Sequence, residues 1–196
     1  MEPIILASSS PRRQDILKML NIPFQVISPN IDEDYSQTKT PFKVAEQFAK
    51  AKIQAVLRMM PPKQVIPWVL SADTVIIMNN KIYGKPVDNE QAFDFISKFQ
   101  GKTHSVITSM ALYNGSKRIT ISKTAMAKVT FAPMSDKEID WYVSTGEWHG
   151  ASGGYRIQGV ASCFIEKIEG TSSCVTGLPI FELYDMLKEQ GYSILE

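Results

Sequence analysis

Asp73 is a carboxylate in the middle of a segment that is otherwise typical of a buried strand, WVLSADTVIIM at residues 68–78. No helix is predicted to begin there, so helix capping does not account for the acidic side chain. A buried carboxylate is unfavourable unless it has a cation partner, hydrogen bonds or a raised pKa. A cation partner or a metal ion would satisfy it, and both place Asp73 in a predicted functional site.

Arg12 and Arg13 follow the serines at residues 8–10 and Pro11, in the first turn of a predicted helix. The helix dipole disfavours positive charge there, whereas free backbone N–H groups and the dipole together favour an anion. A phosphate group at the helix end would give both arginines a bidentate partner. The alternative is that both side chains extend into solvent, and this stretch alone does not decide. It is not a Walker loop, because GxxxxGK[ST] is absent.

Lys52, Lys85 and Gln158 are weaker candidates. The 3.6-residue period places Lys52 on the apolar face of a long predicted helix, where it either lies at the core edge, the commoner case, or points into a cleft. Lys85 lies in the turn YGKP, where lysines are ordinarily exposed. Gln158 lies among glycines in GGYRIQG, and its amide has the donor and acceptor that recognition of a base edge needs. An ordinary flexible loop is the alternative.

The remaining polar candidates have little support of their own. Asp32 and Glu33 lie in a polar loop at residues 29–41 and could supply a second carboxylate, although loop acids are usually solvated. His104 and His149 have no partner at a metal-ligand spacing and are assigned no chemistry.

The elements that must position these residues alternate between strands and helices, except for one long hairpin. Strands are predicted at residues 1–7, 24–28, 68–78, 103–113, 118–132 and about 160–168, with a short one at the C-terminus. Helices are predicted at about residues 11–20, 41–60, 89–100, 136–145 and 179–190. The hairpin signal Asn114-Gly115 excludes a purely parallel sheet. The sequence therefore predicts one α/β domain over residues 1–196, with a mixed twisted sheet and flanking helices.

The amino-acid composition and charge argue against several classes of protein. The 196 residues are 44% hydrophobic and 21% charged, as in an average globular protein. A net charge of +1 argues against a nucleic-acid partner. The sequence has no run of about 18 apolar residues, so no membrane span is predicted. No secretion signal is evident either. Cys163 and Cys174 lack a CxxC spacing and are interpreted as free thiols, so a cytoplasmic location is expected.

Taken together, these segments resemble the Maf family of nucleoside triphosphate pyrophosphatases, whose first known members were linked to septum formation. The resemblance covers essentially the whole chain. It rests on LASSSPRRQDIL, NIDED, AEQFAKAKIQ, SADTVI, YGKP, SGGYRIQG and VTGLPIFEL, in that order. It implies an inosine-triphosphatase-like (Maf/Ham) fold with a cleft between two lobes. It also implies hydrolysis of a nucleoside triphosphate to the monophosphate and pyrophosphate, with Mg²⁺ or Mn²⁺ as a cofactor.

The resemblance also implies roles for particular residues. Asp73 would be the general base, with Lys52 and Lys85 beside it, and Glu33 would bind the metal. The substrate-binding residues would be Ser8, Arg12, Arg13, Thr74 and Gln158. Within that set, Arg13 is expected mainly to hold phosphate, whereas Arg12, Thr74 and Gln158 resemble the trio of the branch that acts on dTTP and UTP. A homodimer is the expected assembly.

One stretch departs from the family pattern. Relatives often have GEPxDKAGAYGIQG, whereas this chain has GEWHGASGGYRIQG, so Gly150 and Ala151 replace an Asp-Lys pair. Trp148 and His149 are candidates to fill the space. Two other functions therefore stay open: a pyrophosphatase for another or modified base such as 7-methyl-GTP, and a nucleotide-binding regulator of cell division with little turnover.

Overall fold

Seven strands form one mixed sheet in the part of the chain that this computed structural model describes, residues 1–31, 41–61 and 66–195. They are β1 (Ile4–Leu6), β2 (Phe24–Val26), β3 (Trp68–Met78), β4 (Lys81–Tyr83), β5 (Thr103–Asn114), β6 (Ile119–Phe131) and β7 (Ile165–Glu169). The order is β2-β1-β3-β5-β6-β7, with β4 paired to β3. β1 is parallel to β2 and β3, and the other pairings are antiparallel. The predicted mixed sheet is confirmed.

Helices cover both faces of this sheet. Those in the described residues are α1 (Pro11–Met19), α2 (Pro41–Met59), α3 (Asn89–Phe99), α4 (Asp136–Ser144), α5 (Ser172–Thr176) and α6 (Ile180–Gln190), with 3₁₀ helices at Ser152–Gly154 and Val160–Phe164. Side chains alternate along β3, so Val69 and Val75 pack towards α2, whereas Leu70 and Ala72 pack with α1 and α6. None of these helices is both long and apolar enough to cross a membrane.

Two buried clusters lie side by side along one face of β3. The first joins α1 and α6 to Leu70 and Ala72. The second joins α3 and α4 to Ile76 and Met78. Thr74 lies between them along the strand, where neither cluster covers the sheet. The fold therefore leaves room for a cleft at the middle of β3.

One predicted strand begins later than expected, and another is absent from the described residues. The strand predicted at about residues 160–168 is present as β7 only from Ile165. Residues 160–164 form a 3₁₀ helix, because the Glu147 carboxylate accepts hydrogen bonds from the backbone N–H groups of Val160 and Ala161 at 2.7 and 3.2 Å. Among the described residues, no strand follows α6. Tyr192 instead donates its hydroxyl hydrogen bond to the Glu2 carbonyl at 2.7 Å and packs edge-on against Trp68.

The β5–β6 hairpin is confirmed, but its glycine has a different reason from the predicted one. The Asn114 side-chain oxygen accepts hydrogen bonds from the backbone N–H groups of Ser116 and Lys117, which closes a four-residue connection. A Cβ atom at Gly115 would lie 1.7 Å from the carbonyl oxygen of Ile66. Gly115 is therefore required by the close approach of another backbone segment.

Candidate active site

β3 has a gap in its pairing on one edge. β5 pairs along the opposite edge, while β1 pairs with Val69 and Leu70 and β4 with residues 76–78. Within the described residues, positions 71–75 therefore have no strand partner on the β1 edge. Asp73 is at the centre of this gap. Open α/β sheets commonly bind ligands where strand pairing divides in this way, beyond the carboxyl end of a strand such as β1.

Lys52 forms an ion pair with Asp73 inside this gap. The ammonium Nζ lies 2.6 Å from Asp73 Oδ1 and 3.4 Å from the carbonyl oxygen of Ala72. Lys52 is 7% exposed and Asp73 3% exposed. Because odd-numbered β3 residues face α2, the strand carboxylate meets the lysine of the apolar helix face. The commoner alternative for Lys52, an ammonium group in solvent, does not hold.

Arg13 is a buried connector rather than a solvent-directed side chain. It is 8% exposed, and its Nε donates to the carbonyl of Gly177 at 2.8 Å. Nη1 donates to Ser8 Oγ at 2.9 Å and Nη2 to Thr74 Oγ1 at 3.2 Å. Gly177 ends α5 in the left-handed conformation, with φ of 107°. One guanidinium therefore fixes α1, β3 and the end of α5 relative to one another.

Arg12, the residue before this connector, is half-buried. Its Nη2 donates to the carbonyl of Gly150 at 3.1 Å. The pKa of Arg12 is lowered, first by burial and then by the positive charges of Arg156 and Arg13. Arg12 is thus close enough to Arg156 and to Arg13 for their positive charges to act on it.

The described residues that sequence reasoning selected all line one cleft of about 500 Å³. They are Ser8, Arg12, Arg13, Lys52, Asp73, Thr74, Lys85 and Gln158. Glu33, the predicted metal ligand, lies outside the described residues, as does Asp32. The arrangement brings together residues from β1–α1, α2, β3, the turn after β4 and the loop before β7.

Sequence reasoning missed Arg156, Tyr155 and Ser152, which line the same cleft. Ser152 Oγ donates to the carbonyl of Thr74 at 2.8 Å, and Tyr155 Oη lies 2.7 Å from Nε2 of buried His104. Burial lowers the pKa of His104 to about 3. Only Arg156 carried a usable signal, a second polar side chain in the glycine-rich stretch from which Gln158 was selected.

The loop that departs from the family pattern is tied down at several points. Trp148 is buried and stacks on His149, with ring centroids 3.7 Å apart and planes at 20°. His149 lines the cleft, so this pair does occupy the region next to Gly150 and Ala151. Gly153 has φ of 69°, and a Cβ atom there would lie 2.3 Å from Cδ1 of Ile76. The positive φ favours glycine at that position, and a larger residue would also displace the Ile76 side chain.

The described residues contain no group of three or more His, Cys, Asp or Glu side chains that could hold a metal ion. Asp73 is the one carboxylate among the described residues of the cleft. Magnesium sites that act on phosphates often use one or two carboxylates, and the remaining ligands are phosphate oxygens and water. The carboxylate at the gap therefore fits a metal that binds together with a phosphorylated substrate.

The sequence profile of one protein family, described as Maf-like protein, matches residues 3–190. The chain belongs to the Maf family. A dTTP/UTP pyrophosphatase of Pelotomaculum thermopropionicum is 38% identical over 195 residues, which is 100% of both chains. A protein of the same description from Pyrococcus furiosus is 40% identical over 196 residues, covering 99% of this chain and 98% of the relative. The resemblance on which the Maf prediction rested is therefore confirmed along the chain.

Among solved structures, the Ham1 protein of Staphylococcus aureus superimposes with a TM-score of 0.46 and 14% identity, covering 67% of this chain and 72% of that one. Protein VC0702 of Vibrio cholerae superimposes with a TM-score of 0.45 and 9% identity, covering 98% of this chain and 99% of that one.

Proposed function

We propose that this Maf-family protein hydrolyses dTTP and UTP to the nucleoside monophosphate and pyrophosphate, as a house-cleaning enzyme. The observation that carries the proposal is the charge of the cleft. Five cationic side chains and a single carboxylate line it among the described residues: Arg12, Arg13, Lys52, Lys85, Arg156 and Asp73. A polyanion such as a triphosphate offsets that charge, whereas a neutral ligand does not.

The proposed chemistry is attack of water on the α-phosphorus. Asp73 orients the water and accepts one of its protons, while the bond between the α-phosphorus and the bridging oxygen breaks and pyrophosphate leaves. The Lys52 ammonium holds the carboxylate in place through the 2.6 Å contact. Phosphoryl transfer depends mostly on positioning and charge stabilisation, which the surrounding cations supply.

A divalent cation, Mg²⁺ or Mn²⁺, is part of the proposal. Asp73 would hold it, together with Glu33 as the resemblance suggests and with the phosphate oxygens of the substrate. When bound, such an ion neutralises negative charge on the phosphate oxygens. The positions of Ser8, Arg13 and Lys85 around the same cleft support binding of the phosphate chain.

Base selection is proposed to involve Arg12, Thr74 and Gln158. Gln158 is exposed in the cleft wall, where its amide can reach a base edge. The Thr74 hydroxyl is engaged with Arg13 and with Thr108 Oγ1 at 2.9 Å. We therefore assign Thr74 a positioning role through Arg13, and direct contact with the base to Arg12 and Gln158.

A nucleotide panel tests the proposed specificity. With magnesium, and separately with manganese, kcat/KM for pyrophosphate release is measured on dTTP, UTP, CTP, dATP, GTP and 7-methyl-GTP. We expect dTTP and UTP to lead by about tenfold or more, the discrimination that one good polar contact gives. The oxygen of ¹⁸O-labelled water should enter the monophosphate and not the pyrophosphate.

Other outcomes identify the alternatives. A preference for 7-methyl-GTP or another base would reject the proposed specificity and keep the reaction. Tight nucleotide binding without pyrophosphate release on any substrate would reject the enzyme and favour a nucleotide-binding regulator.

A further inference from the structure

Arg12 and Arg156 are held side by side by neighbouring carbonyl groups. Arg12 Nη2 donates to Gly150 at 3.1 Å, and Arg156 Nη2 donates to His149 at 2.6 Å. Both arginines line the cleft and are half-buried. Two consecutive peptide groups of one loop therefore bring two like charges together in the wall of the cleft.

The charge of this pair is not offset within the described part of the chain. Neither Arg12 nor Arg156 forms an ion pair with a described carboxylate. Arg156 Nε is buried, and among the described residues neither Nε nor Nη1 has a hydrogen-bond partner. An anion between two like charges with unused donors would stabilise the arrangement, because charge-assisted hydrogen bonds then replace the repulsion.

We propose that Arg156 is a substrate-binding residue that, together with Arg12, binds phosphate oxygens of the substrate. The proposal rests on the proposed function, since it takes the anion to be the triphosphate of a nucleotide. A neutral pyrimidine base would satisfy hydrogen bonds without offsetting the repulsion, so phosphate is the better ligand for the pair. We call Arg12 and Arg156 the arginine clamp.

The clamp assigns Arg12 two contacts. Within the described residues its Nε and Nη1 donate no hydrogen bond, so Arg12 can bind phosphate on the Arg156 side and still lie next to the base. Gln158 follows two residues after Arg156 in the same loop and lines the same cleft. The loop at residues 149–158 thus provides a carbonyl anchor for each arginine, one phosphate contact and one base contact.

The test compares Arg156→Gln and Arg156→Lys with the wild-type protein and with Arg58→Gln, which removes an exposed arginine of α2 outside the cleft. Isothermal titration calorimetry measures binding of inorganic tripolyphosphate, α,β-imido-dUTP and α,β-imido-dCTP, which are not cleaved at the α–β position. We expect Arg156→Gln to weaken all three by about tenfold or more, the effect of losing a charged hydrogen bond. The ratio of the dUTP-analogue affinity to the dCTP-analogue affinity should stay constant. The affinities of Arg156→Lys should lie between those of the wild type and Arg156→Gln, and those of Arg58→Gln should match the wild type.

Unchanged tripolyphosphate affinity in Arg156→Gln would overturn the proposal. A changed dUTP-to-dCTP ratio with unchanged tripolyphosphate affinity would also overturn it, by assigning Arg156 to the base. A lower thermal unfolding midpoint in both Arg156 variants, with equal loss of affinity for all ligands, would overturn it in favour of a structural role.

These are binding measurements, so they separate the proposal for Arg156 from the proposed enzymatic function. A wild-type protein that binds tripolyphosphate through Arg156 but releases no pyrophosphate from any nucleotide would retain the anion site and reject the enzyme.

Discussion

At the residue scale, the ion pair between Lys52 and Asp73 is the contact on which the site depends. Removing one member of a buried ion pair leaves an uncompensated charge, which typically costs about 3–5 kcal/mol. The sequence indicated that Asp73 needs a cation and that Lys52 is unusual on its helix face. It did not indicate that they satisfy each other, because their contact is decided by how α2 crosses β3.

His104 gives the folded state a dependence on pH. It is buried among Phe99, Phe131 and Tyr155, and burial lowers its pKa to about 3 from the ordinary 6.5. Below pH 6.5 the unfolded chain binds a proton that the folded chain does not. The free energy of unfolding should therefore fall as the pH drops from 6.5 towards 3, approaching about 1.4 kcal/mol per pH unit from this group.

Urea unfolding of the wild type and of His104→Phe at a series of pH values within that window checks this expectation. The variant leaves the Tyr155 hydroxyl without its partner, so it should be less stable than the wild type near neutral pH. That deficit should shrink as the pH falls, because only the wild type takes up a proton at this position on unfolding. The difference in slope between the two proteins isolates the proton uptake by His104. If the free energy of unfolding changed with pH equally in both proteins, His104 would be protonated in the folded state or its pKa would be ordinary.

At the element scale, the gap in β3 and the loop before β7 create the cleft. The strands of the hairpin, α3 and α4 were predictable, because a period of two or 3.6 residues and local caps such as Ser135–Glu138 decide them. β4, α5 and the 3₁₀ helix at Val160–Phe164 were not predicted. The 3₁₀ helix depends on a carboxylate 13 residues before its first residue, and no local pattern reveals such a contact.

Glu147 should accordingly stabilise the loop that contains Arg156 and Gln158. Its carboxylate accepts hydrogen bonds from Val160 N, Ala161 N and the Tyr142 hydroxyl. Glu147→Gln replaces one acceptor oxygen by a donor and should lower the free energy of unfolding by about 1–3 kcal/mol. It should also raise KM more than it lowers kcat, because the loop is loosened while Asp73 is unchanged.

Urea unfolding and steady-state kinetics measure both effects. Glu166→Gln is the matched control, since Glu166 is exposed on β7 and does not line the cleft. If the two variants were equally stable and had the same KM, Glu147 would have no part in holding the loop.

At the scale of the whole molecule, the distribution of charged residues reveals the cleft, whereas the net charge does not. The net charge of +1 gives no sign of a basic site, yet five cations meet one carboxylate in the described lining of the cleft. Composition cannot reveal such local concentration, because folding brings together residues more than 140 positions apart, such as Arg12 and Arg156. The homodimer and the cytoplasmic location stay predictions.

The central claim is that the Asp73 carboxylate drives cleavage of a nucleoside triphosphate in this cleft, and Asp73→Asn tests it most directly. Pyrophosphate release from dTTP and UTP is measured with magnesium or manganese, below the unfolding temperature of the variant. Asp15→Asn, which changes an exposed aspartate of α1, is the control.

We predict a loss of about 10²–10⁴ in kcat for Asp73→Asn, the usual contribution of a general base, and wild-type rates for Asp15→Asn. Binding of α,β-imido-dUTP shows whether the cleft of the variant remains formed. Near-wild-type turnover by Asp73→Asn would contradict the account.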